Sequence, residues 1–310
     1  MANIGYIQVT RRCNQKCRFC SNPEIEKDLS LDEAKILIDE FARLRYRGII
    51  LTGGEPSLLE GLTDIIRYGI EKGLEVRIIT NGQRLSDIKL FQKYYNSGLR
   101  SVHFSVHTVR AKLQGFLTGK KDSLRNLFAS IRNAGRLKIM TMINIVINKY
   151  NSDHLDEIVI TLIKKFPFIR HFIFNNIDPT MNRVSENPDT VARLTDFELS
   201  LHKALGYLIA SGYSFRVERV PLCYMTEFAE FSTETRKIIK GEDRIVNFLD
   251  DKGKIVQEKF YHGKSDVCKI CTYTSICAGL YEMDTYYSSR ELYPLFLDPK
   301  PVIRRVLQSD

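Results

Sequence analysis

Short runs of apolar and β-branched residues recur through the first half of the chain, separated by about 25 to 35 residues. These runs predict β-strands at residues 4–9, 48–51, 75–80, 101–106, 139–147 and 171–175. In the segments between them, apolar residues repeat every three or four positions, which predicts α-helices over residues 31–46, 61–72, 86–97, 123–134 and 154–164. Strand and helix therefore alternate along this half of the chain.

This alternation indicates an α/β fold in which parallel strands are joined by right-handed crossovers. Six strand–helix units are too few to close an eight-stranded barrel, but a partial (β/α)6 TIM-like barrel fits their number. A flat, doubly wound sheet has the same alternation and stays open as the alternative. In either fold, the chemistry concentrates at the carboxyl ends of the strands.

The pattern changes after the sixth predicted strand. Residues 178–196 are polar, and one further helix and strand end near residue 220. The rest is rich in loops, with a predicted hairpin around residues 248–260. We therefore expect two domains, a barrel over residues 1–215 and a small domain over residues 216–310. The second is expected to be held together by bound metal rather than by a large hydrophobic core.

Composition and charge narrow the class of protein. The 310 residues carry a net charge of +9, about +7 of which lies in residues 101–220. Because the basic residues are dispersed and form no nucleic-acid motif, we expect a docking surface for an acidic electron carrier rather than for nucleic acid. The sequence has neither a signal peptide nor a run able to span a bilayer, which predicts a cytoplasmic protein with no membrane partner. In that compartment its seven cysteines are expected to bind metal rather than to form disulfides.

Cys13, Cys17 and Cys20 directly follow the first predicted strand in a C-x3-C-x2-C pattern. Thiolates at this density bind zinc or an iron–sulfur cluster. A structural zinc site normally has four protein ligands, whereas a four-iron cluster on three cysteines leaves one iron open to another ligand. From the spacing alone, a zinc site stays open as the alternative.

The segment CNQKCRFC resembles the signature of the radical S-adenosylmethionine (SAM) superfamily. This resemblance implies a 4Fe-4S cluster on the three cysteines, with SAM chelating the fourth iron. It also implies that Phe19 lies against the adenine of SAM. The expected product of SAM cleavage is a 5′-deoxyadenosyl radical that abstracts a hydrogen atom from the substrate.

Two further motifs strengthen the resemblance. Gly53, Gly54 and Glu55, in LTGGEPSL after the second predicted strand, are similar to the family motif that holds the amino group of SAM. Glycine lets the backbone approach a ligand closely, and a carboxylate complements an ammonium group. Thr80 and Asn81, in IITNG after the third predicted strand, resemble another strand end that faces SAM.

Three more residues are candidates from the fourth and fifth predicted strands. Ser105 matches a family position that often hydrogen-bonds SAM, and Asn144 occupies a position that contacts the SAM ribose in many relatives. A shift in register of one residue would turn Asn144 away from the site. His107 is a catalytic candidate, since a histidine facing the cavity can move a proton, but a structural role fits a strand end equally well.

The remaining cysteines form a second set near the chain end: Cys223, Cys268, Cys271 and Cys277. Four thiolates with a C-x2-C core also fit structural zinc. The segment CKICTYTSICAGLYEMDTYY resembles the ending of the auxiliary domains of radical SAM enzymes, called twitch with one cluster and SPASM with two. Three plus four ligands use all seven cysteines, so the resemblance implies one fully ligated auxiliary 4Fe-4S cluster.

These features predict a radical SAM enzyme with two 4Fe-4S clusters, SAM as cofactor and a low-potential electron donor such as flavodoxin or ferredoxin. The substrate most in keeping with the auxiliary domain is a peptide that is modified after ribosomal synthesis. An enzyme of the same superfamily that acts on a small molecule in cofactor or natural-product biosynthesis is the alternative. A zinc-stabilised binding protein is the non-enzymatic alternative, and the combined motifs argue against it.

Overall fold

Nine β-strands form one sheet in the part of the chain that the structure describes. The computed structural model describes residues 4–22, 25–179 and 183–309. The strands are β1 (Ile4–Thr10), β2 (Gly48–Gly53), β3 (Glu75–Thr80), β4 (Ser101–Ser105), β5 (Met140–Ile147), β6 (Ile169–Asn176), β7 (Ser214–Glu218), β8 (Arg244–Asn247) and β9 (Lys254–Gln257). Strands β1 to β7 lie side by side in chain order and pair in parallel. Strand β8 pairs in parallel with the free side of β1, and β9 pairs antiparallel with β8.

Helices alternate with these strands along the chain. They are α1 (Leu31–Arg43), α2 (Leu62–Glu71), α3 (Ile88–Asn96), α4 (Ala111–Thr118), α5 (Ser123–Arg136), α6 (Leu155–Lys165), α7 (Arg183–Glu186), α8 (Leu194–Ala210), α9 (Thr233–Lys240) and α10 (Lys300–Gln308). Helix α1 shows how sequence sets these bounds, because Ser30 and Glu33 form a reciprocal capping box at its start. Its buried residues include Ile38 and Phe41, one turn apart, so a single apolar face packs on the sheet.

The parallel strands have two different faces. In β3, Val76 and Ile78 are buried in the hydrophobic core, while Arg77 and Ile79 line an interior cavity of about 960 Å³. Side chains alternate between the two faces of a strand, so each strand contributes to both the core and the cavity. The sheet therefore curls around a lumen.

The strand order confirms the predicted fold class. A doubly wound sheet reverses its strand order at a switch point, whereas β1 to β7 run in one direction without reversal. The result is an α/β fold with a mostly parallel sheet, in the manner of a partial TIM barrel. The sheet is not closed, because β7 and β9 are its two edges.

Side chains bridge the gap between β7 and β8. Glu218 on β7 and Arg244 on β8 form an ion pair at 3.0 Å, and both are largely buried. Burial alone raises the pKa of Glu218, but the charges of Arg244 and Arg219 outweigh burial and hold the pKa below its usual value. An ionic contact thus stands where a closed barrel has backbone hydrogen bonds.

The described structure bears on the expected division into domains. The predicted boundary between residues 215 and 216 lies inside β7. A hairpin is present as β8 and β9, but its first strand ends at Asn247, before the predicted segment. The hairpin extends the barrel sheet beside β1 rather than standing apart. One contiguous hydrophobic core includes both barrel residues and residues such as Cys223, Ile276 and Tyr287. Two separate units therefore remain a proposal for the segment after β9.

In the described ranges, no helix is both long enough and apolar enough to cross a membrane.

Candidate functional site

The loop after β1 carries Cys13, Cys17 and Cys20 at the carboxyl end of the parallel sheet. Backbone hydrogen bonds hold this loop on two sides. Gly54 and Glu55 donate their N–H groups to the carbonyls of Thr10 and Arg12, at 2.7 and 2.8 Å. On the other side, the N–H groups of residues 16 and 18 donate to the carbonyls of residues 118 and 117, each at 3.0 Å. The cysteine loop is therefore fixed to the ends of β2 and α4 by its own backbone.

The glycine pair after β2 is required by this close approach. Gly53 adopts a φ of +124°, a conformation that residues with a side chain rarely take. A Cβ atom on Gly54 would lie 2.1 Å from the carbonyl oxygen of Arg12. The two glycines consequently shape the cysteine loop itself, in addition to the role toward SAM that the resemblance implies.

Glu55 joins the ends of β2 and β3. Its buried carboxylate accepts hydrogen bonds from the hydroxyl groups of Ser57 at 2.6 Å and Thr80 at 2.7 Å, and from the backbone N–H of Asn81 at 2.7 Å. Burial raises the pKa of Glu55, and these hydrogen bonds act in the opposite direction. The structure thus brings the predicted residues Glu55, Thr80 and Asn81 together. We call this arrangement, in which the carboxylate holds the backbone after β3, the Glu55–Asn81 turn.

Asn81 extends this network to the cysteine loop. Its side-chain amide donates to Oδ1 of Asn14 at 2.7 Å and lies 3.8 Å from Sγ of Cys13. A polar group in contact with a cysteine sulfur is suited to orient that ligand. The third strand end therefore faces the first cysteine.

The three thiols lie close enough to influence each other. Burial raises the pKa of each thiol, that of Cys13 to about 11, and the neighbouring thiols raise the pKa of Cys17 further. The positive charge of Arg183 lowers all three pKa values, and Arg11 also lowers that of Cys20. Metal binding to such thiols must release their protons.

Arg11 connects this loop to the C-terminal part of the chain. The side chain is almost wholly buried, donates to Oδ1 of Asn22 at 2.9 Å and forms an ion pair with Asp250 in the turn between β8 and β9. Asn22 donates its backbone N–H to Sγ of Cys20 at 3.3 Å. Sequence reasoning missed this network, because nothing in the spacing of Arg11 and Asp250 indicates that they meet.

Phe19 and His107 pack together beside the cysteines. Their rings meet edge to face, with centroids 4.5 Å apart, and Phe19 belongs to a small apolar cluster with Leu117, Ile177 and Val184. Burial lowers the pKa of His107 to about 3, and its Nδ1 accepts the backbone N–H of residue 146 at 3.3 Å. A neutral, buried imidazole in this position packs against the ring of Phe19, and a catalytic role for His107 stays a prediction.

Ser105 and Asn144 are direct partners across β4 and β5. Asn144 lines the lumen, so its register turns it inward as the resemblance requires. Among the described residues, its buried Oδ1 atom has no hydrogen-bond partner. The side chain of His103 lies close to this amide, because Asn144 raises the pKa of His103, so a donor on a bound molecule, such as a ribose hydroxyl group, would share this acceptor with His103.

Cys223, Cys268, Cys271 and Cys277 line one small cavity. Burial raises the pKa of Cys223 to about 12 and also raises that of Cys277. Backbone N–H groups of Gly279 and Leu295 point at the sulfurs of Cys277 and Cys271, at 3.3 and 3.4 Å. Four thiols and N–H donors to sulfur fit the donor set of a cysteine-ligated cluster.

Neither cysteine set is a preformed site for a single ion. Over residues 4–22, 25–179 and 183–309, no three Cys, His, Asp or Glu side chains converge closely enough to hold one metal ion. The assignment of clusters to these cysteines consequently rests on donor chemistry and on the contacts around the sulfurs.

The C-terminal part also reaches the carboxyl ends of the barrel strands. Tyr281 donates its hydroxyl group to Asp178 at 3.0 Å, and Tyr287 donates to the carbonyl of Ile177 at 3.0 Å. Arg219 lies over the ring of Tyr281, with 5.5 Å between the guanidinium carbon and the ring centroid. These tyrosines, which sequence reasoning missed, follow the last cysteine closely and tie its segment to the mouth of the barrel.

Comparison with known proteins matches the first half of the chain to one family. The model of the radical SAM superfamily matches residues 7–162. Among curated relatives, the chain is 33% identical to the Fe-coproporphyrin III synthase of Methanosarcina barkeri, over 46% of this chain and 36% of that protein. It is 33% identical to the GTP 3′,8-cyclase of Tolumonas auensis, over 52% of this chain and 49% of that protein.

A third relative, the PqqA peptide cyclase of Bradyrhizobium diazoefficiens, is 26% identical over 49% of this chain and 41% of that protein. The matches thus span about a third to a half of the length of these curated relatives. The activities in their names accordingly belong to those proteins.

Two solved structures have the same fold along most of the chain. Streptococcus suis SuiB bound to S-adenosylmethionine has a TM-score of 0.67 and 15% identity, and the match covers 90% of this chain and 73% of SuiB. The enzyme anSMEcpe with bound AdoMet and Kp18Cys peptide has a TM-score of 0.65 and 14% identity, and the match covers 99% of this chain and 96% of that one. Because the family model matches half of the chain, on the segment that carries the cysteine loop, the glycine pair and the Asn81 turn, this chain belongs to the radical SAM superfamily.

Proposed function

We propose that this chain is a radical SAM enzyme that binds SAM at a 4Fe-4S cluster held by Cys13, Cys17 and Cys20. The observation that carries the proposal is the convergence of the cysteine loop, the glycine pair and the Glu55–Asn81 turn at one end of the sheet. When bound, the cluster and SAM supply a 5′-deoxyadenosyl radical that abstracts a hydrogen atom from an unactivated C–H bond.

The chain's own residues have distinct tasks around that chemistry. Gly53 and Gly54 hold the cysteine loop and leave backbone groups open to the amino group of SAM. Phe19 provides an apolar surface for the adenine, while Ser105 and Asn144 offer hydrogen bonds to the rest of the nucleoside. The curled sheet surrounds the reacting atoms with protein and limits access of water.

We further propose that Cys223, Cys268, Cys271 and Cys277 hold an auxiliary 4Fe-4S cluster in a twitch-like segment. Four cysteines leave no iron open to a substrate, so this cluster transfers electrons or stabilises the segment. Tyr281 and Tyr287, which follow Cys277 in sequence, contact Asp178 and Ile177, and these contacts support a place for this cluster near the mouth of the barrel.

The substrate proposed for this site is a peptide. The similarity to a PqqA peptide cyclase supports it, as does a shared fold with a structure solved with both AdoMet and a peptide. The lumen of about 960 Å³ is large enough to admit several residues of an extended chain.

A small-molecule substrate is the second candidate. The stretch of 33% identity to a GTP 3′,8-cyclase and the many basic side chains in the lumen favour an anionic small molecule of that kind.

The electron donor in either case is proposed to be a low-potential flavodoxin or ferredoxin, which are acidic proteins suited to a chain of net charge +9.

The first test is iron and sulfide analysis with Mössbauer spectra on anaerobically purified protein. The wild type is expected to hold about eight irons, and the Cys13/Cys17/Cys20→Ala variant about four, as for two four-iron clusters of which one is lost. After reduction, only the wild type is expected to convert SAM to 5′-deoxyadenosine. Wild-type protein with two zinc ions and no iron would overturn the proposal, whereas four irons with one retained zinc would restrict it to the first cluster.

A further inference from the structure

The lumen of the barrel is strongly basic. The described residues that line it include nine basic side chains, seven arginines and two lysines, and only two acidic ones, both glutamates. One of these glutamates, Glu218, is paired with Arg244, and the other, Glu242, is paired with Lys237 at 3.0 Å. The acids that line the cavity thus pair with two of these cations, and Glu75, outside the lining, pairs with Arg47 and Arg77.

Arg216 on β7 is the clearest uncompensated charge. Its side chain donates to the neighbouring backbone carbonyl of Phe215 at 2.9 Å, and within the described residues it has no carboxylate partner. Burial, together with the nearby charge of Arg236, lowers its pKa to about 10. A cation held in protein beside another cation destabilises the empty site, and an anion between them would relieve this repulsion.

Two histidines lie on the same interior face. His103 on β4 is 95% buried, and in the described chain its Nε2 atom makes no well-aligned hydrogen bond, although the side chain of Asn144 is close enough to raise its pKa. His171 on β6 is close enough to Arg216 and His103 for both to lower its pKa. By contrast, Arg77 in the same cavity already has a carboxylate partner, Glu75, at 2.8 Å. Unused donors thus remain on Arg216. The two histidines already have polar neighbours, Asn144 for His103 and Ser214 for His171.

We propose that Arg216, Arg236, His103 and His171 form an anion-binding site inside the barrel, which takes a carboxylate or phosphate group of the substrate. The inference rests on the proposed function only for the identity of the molecule that carries this group. For the peptide substrate proposed above, the group is the side-chain carboxylate of a glutamate or aspartate.

The site is within reach of the proposed SAM pocket. Asn144 pairs with Ile173 on β6, and Ile173 pairs with Arg216 on β7. Since neighbouring strands are about 4.8 Å apart, Arg216 stands roughly 10 Å from Asn144 across the sheet. A substrate held at Arg216 by its anionic group would therefore extend, a few bonds away, to the proposed position of the SAM nucleoside.

The test compares anaerobically purified wild type, with both clusters loaded, with Arg216→Gln and with the control Arg132→Gln, an exposed position on α5. Isothermal titration calorimetry measures the binding of tetraglutamate and of inorganic pyrophosphate in the presence of SAM. Loss of a charged hydrogen-bond partner is expected to weaken binding by about tenfold or more in Arg216→Gln, with no change in the control. Iron content and thermal unfolding of each variant check that it is folded.

The two probes identify the source of the anion. Binding of tetraglutamate that depends on Arg216 supports a carboxylate, and binding of pyrophosphate that depends on Arg216 supports a phosphate. Failure of both probes to bind, or equal binding to wild type and Arg216→Gln, overturns the site. Formation of 5′-deoxyadenosine without added substrate is measured in parallel on the wild type, so that failure of the proposed function is recognised separately from failure of the anion site.

Discussion

At the scale of the residue, Gly54 shows how little freedom the site allows. Its N–H donates to Thr10, and a Cβ atom on it would lie within 2.1 Å of one backbone carbonyl and 2.7 Å of another. Neither neighbour is a flexible side chain that can move aside. A single hydrogen atom in place of a methyl group therefore permits the contact between β2 and the cysteine loop.

The substitution Gly54→Ala is accordingly expected to displace the cysteine loop. We expect the first cluster either to be lost or to bind SAM at least about tenfold more weakly. The reason is that even a displacement of its ligands by a fraction of an ångström weakens binding. SAM binding to anaerobically loaded protein and iron content measure this effect. The matched control is Gly206→Ala in α8, where an added Cβ meets no atom within 4 Å and alanine is expected to stabilise the helix by about 0.5 to 1 kcal/mol. Unchanged SAM affinity in Gly54→Ala would contradict this account of the glycine.

At the scale of the element, the hairpin of β8 and β9 contacts the cysteine loop, although the two are more than 200 residues apart in sequence. It completes the sheet beside β1, and its turn carries Asp250 to the buried guanidinium of Arg11. Arg11 in turn holds Asn22, whose N–H contacts the sulfur of Cys20. A chain of three contacts thus connects the hairpin to Cys20, a proposed cluster ligand.

Replacement of Asp250 by asparagine leaves Arg11 buried with a neutral partner. Breaking a buried ion pair by removing one partner is expected to cost about 3 kcal/mol in the free energy of unfolding. Because the partner is part of the cysteine loop, iron is expected to be lost from the first cluster before the second. Iron content and Mössbauer spectra after mild chelation measure the order of loss. Asp251→Asn, at the exposed neighbouring position, is the control, and equal resistance of both variants to chelation would argue against the connection.

At the scale of the whole molecule, two histidines of the barrel lumen, the buried His103 and the half-buried His171, connect stability to pH. Burial is the main cause that lowers the pKa of His103 to about 4 and of His171 to about 3. In the unfolded chain a histidine titrates near 6.5, so between about pH 4 and 6.5 the unfolded state binds more protons than the folded state. The free energy of unfolding is therefore fully retained above about pH 6.5 and decreases as the pH falls below it.

His171→Gln is expected to reduce this dependence, because glutamine takes up no proton on unfolding and can still contact Ser214, which lies 2.8 Å from Nδ1 of His171. The slope of the free energy of unfolding between pH 5 and 6 is expected to fall by about 1 kcal/mol per pH unit. The His103→Gln/His171→Gln double variant should fall by about twice that amount. Anaerobic unfolding curves at several pH values measure the slopes, and a wild-type slope in the double variant would show that these histidines do not titrate on unfolding.

The strands and the chemistry of the cysteine loop were predictable because their signals are local. A buried parallel strand is a short apolar run, and C-x3-C-x2-C and GGEP are each contiguous motifs. The hairpin was predictable for the same reason, whereas its attachment to β1 was not. Pairing of β8 with β1 joins residues separated by most of the chain, and hydrophobic pattern does not encode which strand edge is free.

Sequence by itself thus determined the class of fold, the family and the residue types that are able to hold two clusters, since each depends on periodicity or on spacing within a few residues. Only the tertiary structure decided which distant groups meet: Arg11 with Asp250, Glu218 with Arg244, Cys223 with the three later cysteines, and Arg216 with the histidines of the lumen. These contacts follow from the curvature of the sheet, which brings its two edges close to each other and turns the inner faces of its strands toward a common lumen. Burial then sets the charges and pKa values of those groups, because removal from water is a property of the folded surroundings rather than of the residue.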